Sequence, residues 1–202
     1  AGFERAVRRG IADGATTLWG MPSAEYTYIS ENDMAALLAY VRAQPPAGPA
    51  HPRPRFDRGA RLALLEGRME PAVLAAFDAP SSLDMGPRYD GGRYLARISC
   101  GECHGADLEG TKVAPDLSVV SRYSRAAFFD LLRRGIGAHA RAVPAMKRLA
   151  AIRFHVLEDF EIMALYDYLD ARAHAPATLI ARASVAAARQ RAARETALSN
   201  TP

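Results

Sequence analysis

Cysteine is nearly absent from this sequence. Cys100 and Cys103 are the only two in 202 residues, which excludes a disulfide framework and any all-cysteine zinc or iron–sulfur site. No run of 18 or more apolar residues occurs, so no segment reads as a membrane-spanning helix. The opening residues, Ala-Gly-Phe-Glu-Arg, lack the basic and apolar regions of an export signal, so any such signal is expected to have been removed or to lie upstream, as would a membrane anchor. Sustained apolar/polar alternation is missing too, which argues against a sheet. Nor is there an excess of one charge in the body: residues 1–170 carry 21 Lys+Arg and 21 Asp+Glu. The net charge of +4 arises in residues 171–202, from five arginines against Glu195. A basic groove for nucleic acid is therefore not expected. A hydrophobic content of 50% nevertheless suffices to bury a real core.

An internal repeat is present. Arg8-Arg9-Gly10-Ile11 recurs as Arg133-Arg134-Gly135-Ile136, an offset of 125 that also carries Phe3 onto Phe128 and Met21 onto Met146. At an offset of 128, Met34, Leu37, Leu38 and Val41 fall on Ile162, Leu165, Tyr166 and Leu169. Both sets have the i, i+3, i+4, i+7 spacing of one amphipathic helix face, and Ser30 with Asp33 reads as a capping box. Residues 125–134 form a further helix, with Ser124 as N-cap and Gly135 past its end, and residues 92–103 another. Pro45, Pro46, Pro49, Pro52 and Pro54 mark a linker, and residues 57–78 add a short helix or two. The Ala/Arg-rich tail from about Thr178 to Ala197 is helical by propensity.

The chemistry lies in Cys100-Gly101-Glu102-Cys103-His104. Two thiols three positions apart on a helical turn can each add to one vinyl group of a porphyrin, and the next residue then projects its imidazole at the iron. Two other readings use the same cysteines: a thiol–disulfide redox pair, which needs a strand before the motif, and a zinc half-site, which needs a second pair of ligands.

Around this motif, residues 88–170 resemble a class I cytochrome c domain. The resemblance implies a proline-containing loop after the histidine, an axial methionine and a closing helix, which here are Ala114-Pro115-Asp116-Leu117, Met146 and residues 159–171. It further implies that iron is ligated by His104 and Met146, and that the Pro115 carbonyl region accepts the other ring N–H of His104. Met163 is the competing thioether, and His139 and His155 are the competing imidazoles. Gly92 and Tyr94 are expected to meet Tyr166, Tyr168 and Leu169 where the first and last helices cross. Arg122, Tyr123 and Arg125 either serve the haem propionates or are simply solvated.

The first repeat reads as the back half of such a domain, its attachment motif falling about 25 residues before residue 1 by the offset of 125. Three explanations compete: an upstream segment, a degenerate domain without haem, or a complementing chain. Under the first, favoured here, Met21 is the axial ligand of an upstream haem; otherwise it is a core residue. The expected organisation is all-α, about three main helices around a covalently bound haem c. Residues 1–44 form the half-domain, 45–87 a proline-rich linker with short helices, 88–173 the haem domain and 174–202 a helical tail. The resemblance implies an electron carrier and no catalytic residue, working with redox partner proteins, a dehydrogenase or a terminal oxidase, in a respiratory or dehydrogenase chain. Assembly of haem c outside the cytoplasm implies a bacterial periplasm. The alternatives are a dihaem peroxidase-type enzyme, or a cytochrome subunit of a larger oxidoreductase complex for which the tail serves as a docking helix.

Overall fold

The computed structural model describes residues 2–49 and 55–183, with Val185, Ala188, Arg189 and Ala192 beyond them. Pro52 and Pro54 of the expected linker, and most of the tail past residue 183, lie outside the described residues. The chain divides into two compact units, Ala1–Ala79 and Pro80–Pro202. Among the described residues the regular elements are helices, with two isolated antiparallel bridges and no strand.

The first unit holds α1 (Gly2–Arg9), α2 (Ser23–Tyr26), α3 (Glu31–Ala43), α4 (Arg58–Leu65) and α5 (Ala72–Phe77). α3 begins where the sequence places its cap: the Ser30 hydroxyl accepts from the Asp33 N–H at 3.0 Å. The core is small, Val7, Ile29 and Met34 with Phe3, Met21 and Tyr26 against them. α5 belongs to this unit, because Ala72 and Ala76 are buried and the Ala72 N–H donates to the Leu18 carbonyl at 2.9 Å.

The second unit holds α6 (Asp90–His104), α7 (Arg125–Arg134), α8 (Pro144–Ile152) and α9 (Asp159–Ala173), with a 3-10 turn over Leu117–Arg122. Within residues 88–173, all of them described, four helices stand where about three were expected. The additional one is α8, which Pro144 opens in the first-turn position that its fixed φ favours. Residues 80–87, expected as linker, pack here: the Tyr168 hydroxyl donates to the Leu83 carbonyl at 2.9 Å, Arg97 donates to the Pro80 carbonyl at 2.7 Å, and Met85 lies against the core. The expected linker 45–87 is thus split between the two units. Residues 177–183 of the tail are helical.

The core of this unit is Ala96, Leu108, Leu117, Val120, Phe128, Leu132, Phe154, Ile162, Leu165, Tyr168 and Leu169. α6 and α9 cross where Gly92 allows it: a Cβ on Gly92 would stand 2.1 Å from the Ala164 carbonyl oxygen and 2.7 Å from the Tyr168 Cβ. Tyr166 turns elsewhere than expected. It stacks at 5.6 Å on Phe128, donates to the Tyr123 carbonyl at 2.9 Å and lies under Arg125.

The repeat read from the sequence has a structural counterpart. Ile11 bridges Thr17 and Ile136 bridges Ala142, the same pairing 125 residues on. Gly10 and Gly135 take left-handed φ of +64° and +68°, and each lies against backbone that leaves no room for a Cβ. The copies differ in burial at one matched tyrosine: Tyr168 is fully buried, whereas its counterpart Tyr40 is 66% exposed.

Candidate functional site

The last turn of α6 carries Cys100, Cys103 and His104. At i and i+3 the two sulfurs share a face, both are partly buried, and both are free thiols. Cys100 packs on the core of the second unit, as do Leu95, Leu149 and Met146. Burial, reinforced by Cys103 and only partly offset by Arg153, pushes the Cys100 thiol up to about 12. That value is the reverse of what a thiol–disulfide catalyst needs, since such a nucleophile is activated by a lowered pKa. The zinc half-site also lacks support, because no group of three or more His, Cys, Asp or Glu among the described residues could hold a metal ion.

α6 ends at Gly105, and the chain folds back under the motif. The Thr111 hydroxyl donates to the Cys103 carbonyl at 2.6 Å, and the Gly110 N–H donates to the His104 carbonyl at 2.8 Å. Gly110 has φ of +92°, and a Cβ there would stand 2.6 Å from the Asp116 nitrogen. This close approach delivers Pro115 to the imidazole: His104 Nδ1 lies 2.7 Å from the Pro115 carbonyl oxygen. A carbonyl can only accept, so Nδ1 carries the proton and Nε2 keeps its lone pair for a metal.

The loop is held from α9 by a residue that sequence reasoning assigned only to the tail's positive charge. Arg172, its side chain 8% exposed, donates to Asp116 at 3.1 Å and to the Asp107 carbonyl at 3.2 Å. Its position on the last turn of an amphipathic helix was the available signal. Burial alone would raise the pKa of Asp116, but the Ser118 N–H and the Arg172 guanidinium outweigh it and hold the carboxyl below its usual value of 3.8. A depressed folded pKa contributes stability that is present above the unfolded value and lost as pH falls through the folded one. Urea midpoints of the wild type are therefore expected to fall below about pH 4. Asp116→Asn should start from a lower midpoint and decline less steeply. An unchanged slope would remove Asp116 from the acid response.

Met146 sits in the first turn of α8, not in a loop directly before the closing helix, and is partly buried against the core. Its helix is anchored at Gly135, whose carbonyl accepts from the Val143 N–H at 2.9 Å and whose missing Cβ would stand 2.1 Å from the Lys147 Cα. Met163 lies within α9, half-buried. His139 and His155 are exposed. Of the propionate candidates, Arg125 is paired with Asp167 at 2.7 Å and Arg122 is exposed. Met21 packs in the small core of the first unit. No helix among the described residues is long and apolar enough to cross a membrane.

The donor set fits a covalently held haem. Two cysteine sulfurs stand on one helical face, an imidazole has one nitrogen committed and the other available, and a thioether lies against the same apolar core. Residues 87–169 match the family model of cytochrome c oxidase, cbb3-type, subunit III. The fructose dehydrogenase cytochrome subunit of Gluconobacter japonicus is 29% identical over 198 residues, covering 83% of this chain and 40% of that protein. The chain thus spans less than half the length of this curated relative.

Proposed function

From the premise that residues 87–169 are a class I c-type cytochrome domain, we propose that the chain transfers single electrons through one haem c held by Cys100 and Cys103, with His104 and Met146 as iron ligands. The domain class makes this chain an electron carrier and not an enzyme, and it implies haem c. The observation that carries the ligand assignment is His104, whose Nδ1 is committed to the Pro115 carbonyl. Bound haem supplies one-electron redox chemistry at its iron. The chain's own residues do the rest. Pro115 fixes the tautomer and the ring plane of His104, Arg172 and Thr111 hold the loop that presents Pro115, and the apolar side chains of α6, α7 and α9 exclude water. Met146 would supply the second protein ligand, and a thioether in that role would favour the ferrous state.

The relative is a cytochrome subunit of a dehydrogenase, which supports a place for this chain as the electron-accepting subunit of an oxidoreductase, passing electrons to a further redox protein. Assembly of haem c outside the cytoplasm supports a periplasmic location for this activity. The equivalence of Met21 and Met146 extends the reading to a second haem, its attachment motif preceding residue 1 and Met21 its axial ligand. The exposure of Tyr40, against complete burial of Tyr168, supports a covering segment there.

The test is the intact mass of the natively purified full protein, before and after extraction with acidified organic solvent. One haem resisting extraction is expected on the peptide that carries Cys100 and Cys103, and none on that peptide after Cys100→Ala with Cys103→Ala. Haem lost on extraction from the unaltered chain would overturn covalent attachment.

A further inference from the structure

The Arg-Arg-Gly-Ile block occurs twice, and the two copies of its first arginine do one job. Arg133, in the last turn of α7, donates to the carbonyls of Phe154 and His155 at 3.3 Å each and of Leu157 at 2.6 Å, and it pairs with Asp159 at 2.8 Å. Arg8, in the last turn of α1, donates to the carbonyls of Thr27 and Ile29 and pairs with Glu31 at 2.8 Å. The arginines are related by the offset of 125, whereas their targets are related by 128: Thr27 with His155, Ile29 with Leu157, Glu31 with Asp159. The three additional residues lie between, where α8 has nine residues and α2 has four. The arginine reaches the same place across this change of length. What both copies retain is therefore the tie to the chain just past the methionine-bearing segment, whatever that segment's length.

This tie completes the support of α8. Its first turn is fixed at Gly135, whereas its last turn runs into the Phe154–Val156 turn, whose carbonyls have Arg133 as a donor. A guanidinium is suited to this because its fork of five donors can serve several carbonyls and one carboxylate in a fixed geometry, which an ammonium cannot. We propose that Arg133 is a positioning residue for Met146: by tying the chain past the end of α8 to α7 and to Asp159 of α9, it holds the thioether at bonding distance from iron. Arg8 makes the equivalent tie in the first unit. The inference rests on Met146 as axial ligand, and the experiment separates the two ideas.

The experiment uses the holoprotein of the wild type and of Arg133→Gln, Arg133→Lys and Asp159→Asn. The weak far-red sulfur-to-iron absorption band of the ferric form is followed on warming beside far-ultraviolet circular dichroism, with the reduction potential as a second readout. In both Arg133 variants the band should disappear in a separate transition below global unfolding. The fraction of molecules with detached methionine at room temperature should rise about tenfold, and the potential should fall. Asp159→Asn should stay near the wild type, because the three carbonyl contacts remain. Should Arg133→Gln not fold, Arg133→Lys carries the test. Band loss coincident with unfolding in the Arg133 variants, at unchanged potential, would show a merely structural arginine and overturn the proposal. A wild-type protein without the band would instead overturn Met146 as ligand, and the positioning role with it.

Discussion

Met146→Ala is expected to abolish the far-red sulfur–iron band of the oxidised protein and to lower the reduction potential by on the order of 0.1 V, a part of the roughly 0.8 V over which axial ligands tune haem. The direction follows from the loss of a soft thioether that stabilises the ferrous state. Covalent attachment should survive, since Cys100 and Cys103 lie on a different helix. Part of the cost is packing, because Met146 is partly buried against the core of the second unit, and about 2 kcal/mol of stability should go with it. Met163→Ala is the control. It removes a half-buried thioether from α9, so it should keep both the band and the potential. If Met163→Ala removed the band while Met146→Ala retained it, the ligand assignment would be inverted.

The second large effect sets local propensity against packing at one helix crossing. In α6, Gly91 and Gly92 are adjacent, and replacing a helical glycine by alanine is worth up to about 1 kcal/mol in favour of the helix. At Gly91 a Cβ meets nothing within 4 Å, so Gly91→Ala should be neutral or stabilising by a few tenths of a kcal/mol to about 1 kcal/mol. At Gly92 the added atom would stand 2.1 Å from a backbone carbonyl of α9, which no rotamer can relieve. Forcing the helices apart costs about 3 kcal/mol or more and exceeds the propensity gain, so Gly92→Ala should lose on the order of 2 kcal/mol net. That is a large fraction of the roughly 5–15 kcal/mol typical of a domain. Chemical denaturation of both holoproteins measures the pair. Equal midpoints would mean that α6 and α9 do not cross at Gly92.

Much of the molecule was legible because its signals are local. The cap of α3 at Ser30, the cap of α7 at Ser124 and the left-handed stop at Gly135 each depend on a few adjacent residues, and all three stand where the sequence puts them. α8 was not legible, because Pro144 before a short Ala/Lys/Arg run reads equally as a loop exit or a helix start. The reach of Tyr166 was missed for a related reason: a helical face has a width, and only the neighbours decide which flank of it meets α7 and which meets α6. Arg172 shows the same limit, since charge counted along a chain carries no record of whether the side chain is in solvent or tied to Asp116.

By itself the sequence determined the helical class, the existence of a repeat and the motif on which attachment is proposed, because each is written in spacing: thiols three positions apart, the i, i+3, i+4 recurrence of apolar residues, and two constant offsets. The Pro115–His104 contact implied by the family resemblance is present, and tertiary structure alone decided that Arg133 and Arg8 clamp equivalent turns across segments of different length and that Tyr168 is buried while Tyr40 is exposed. Those contacts join residues from 11 to 85 positions apart, or fail to form in one copy, and they depend on how helices pack and not on any local preference. Burial and hydrogen bonding between distant segments follow from the complete set of packed neighbours, which no short window of sequence contains.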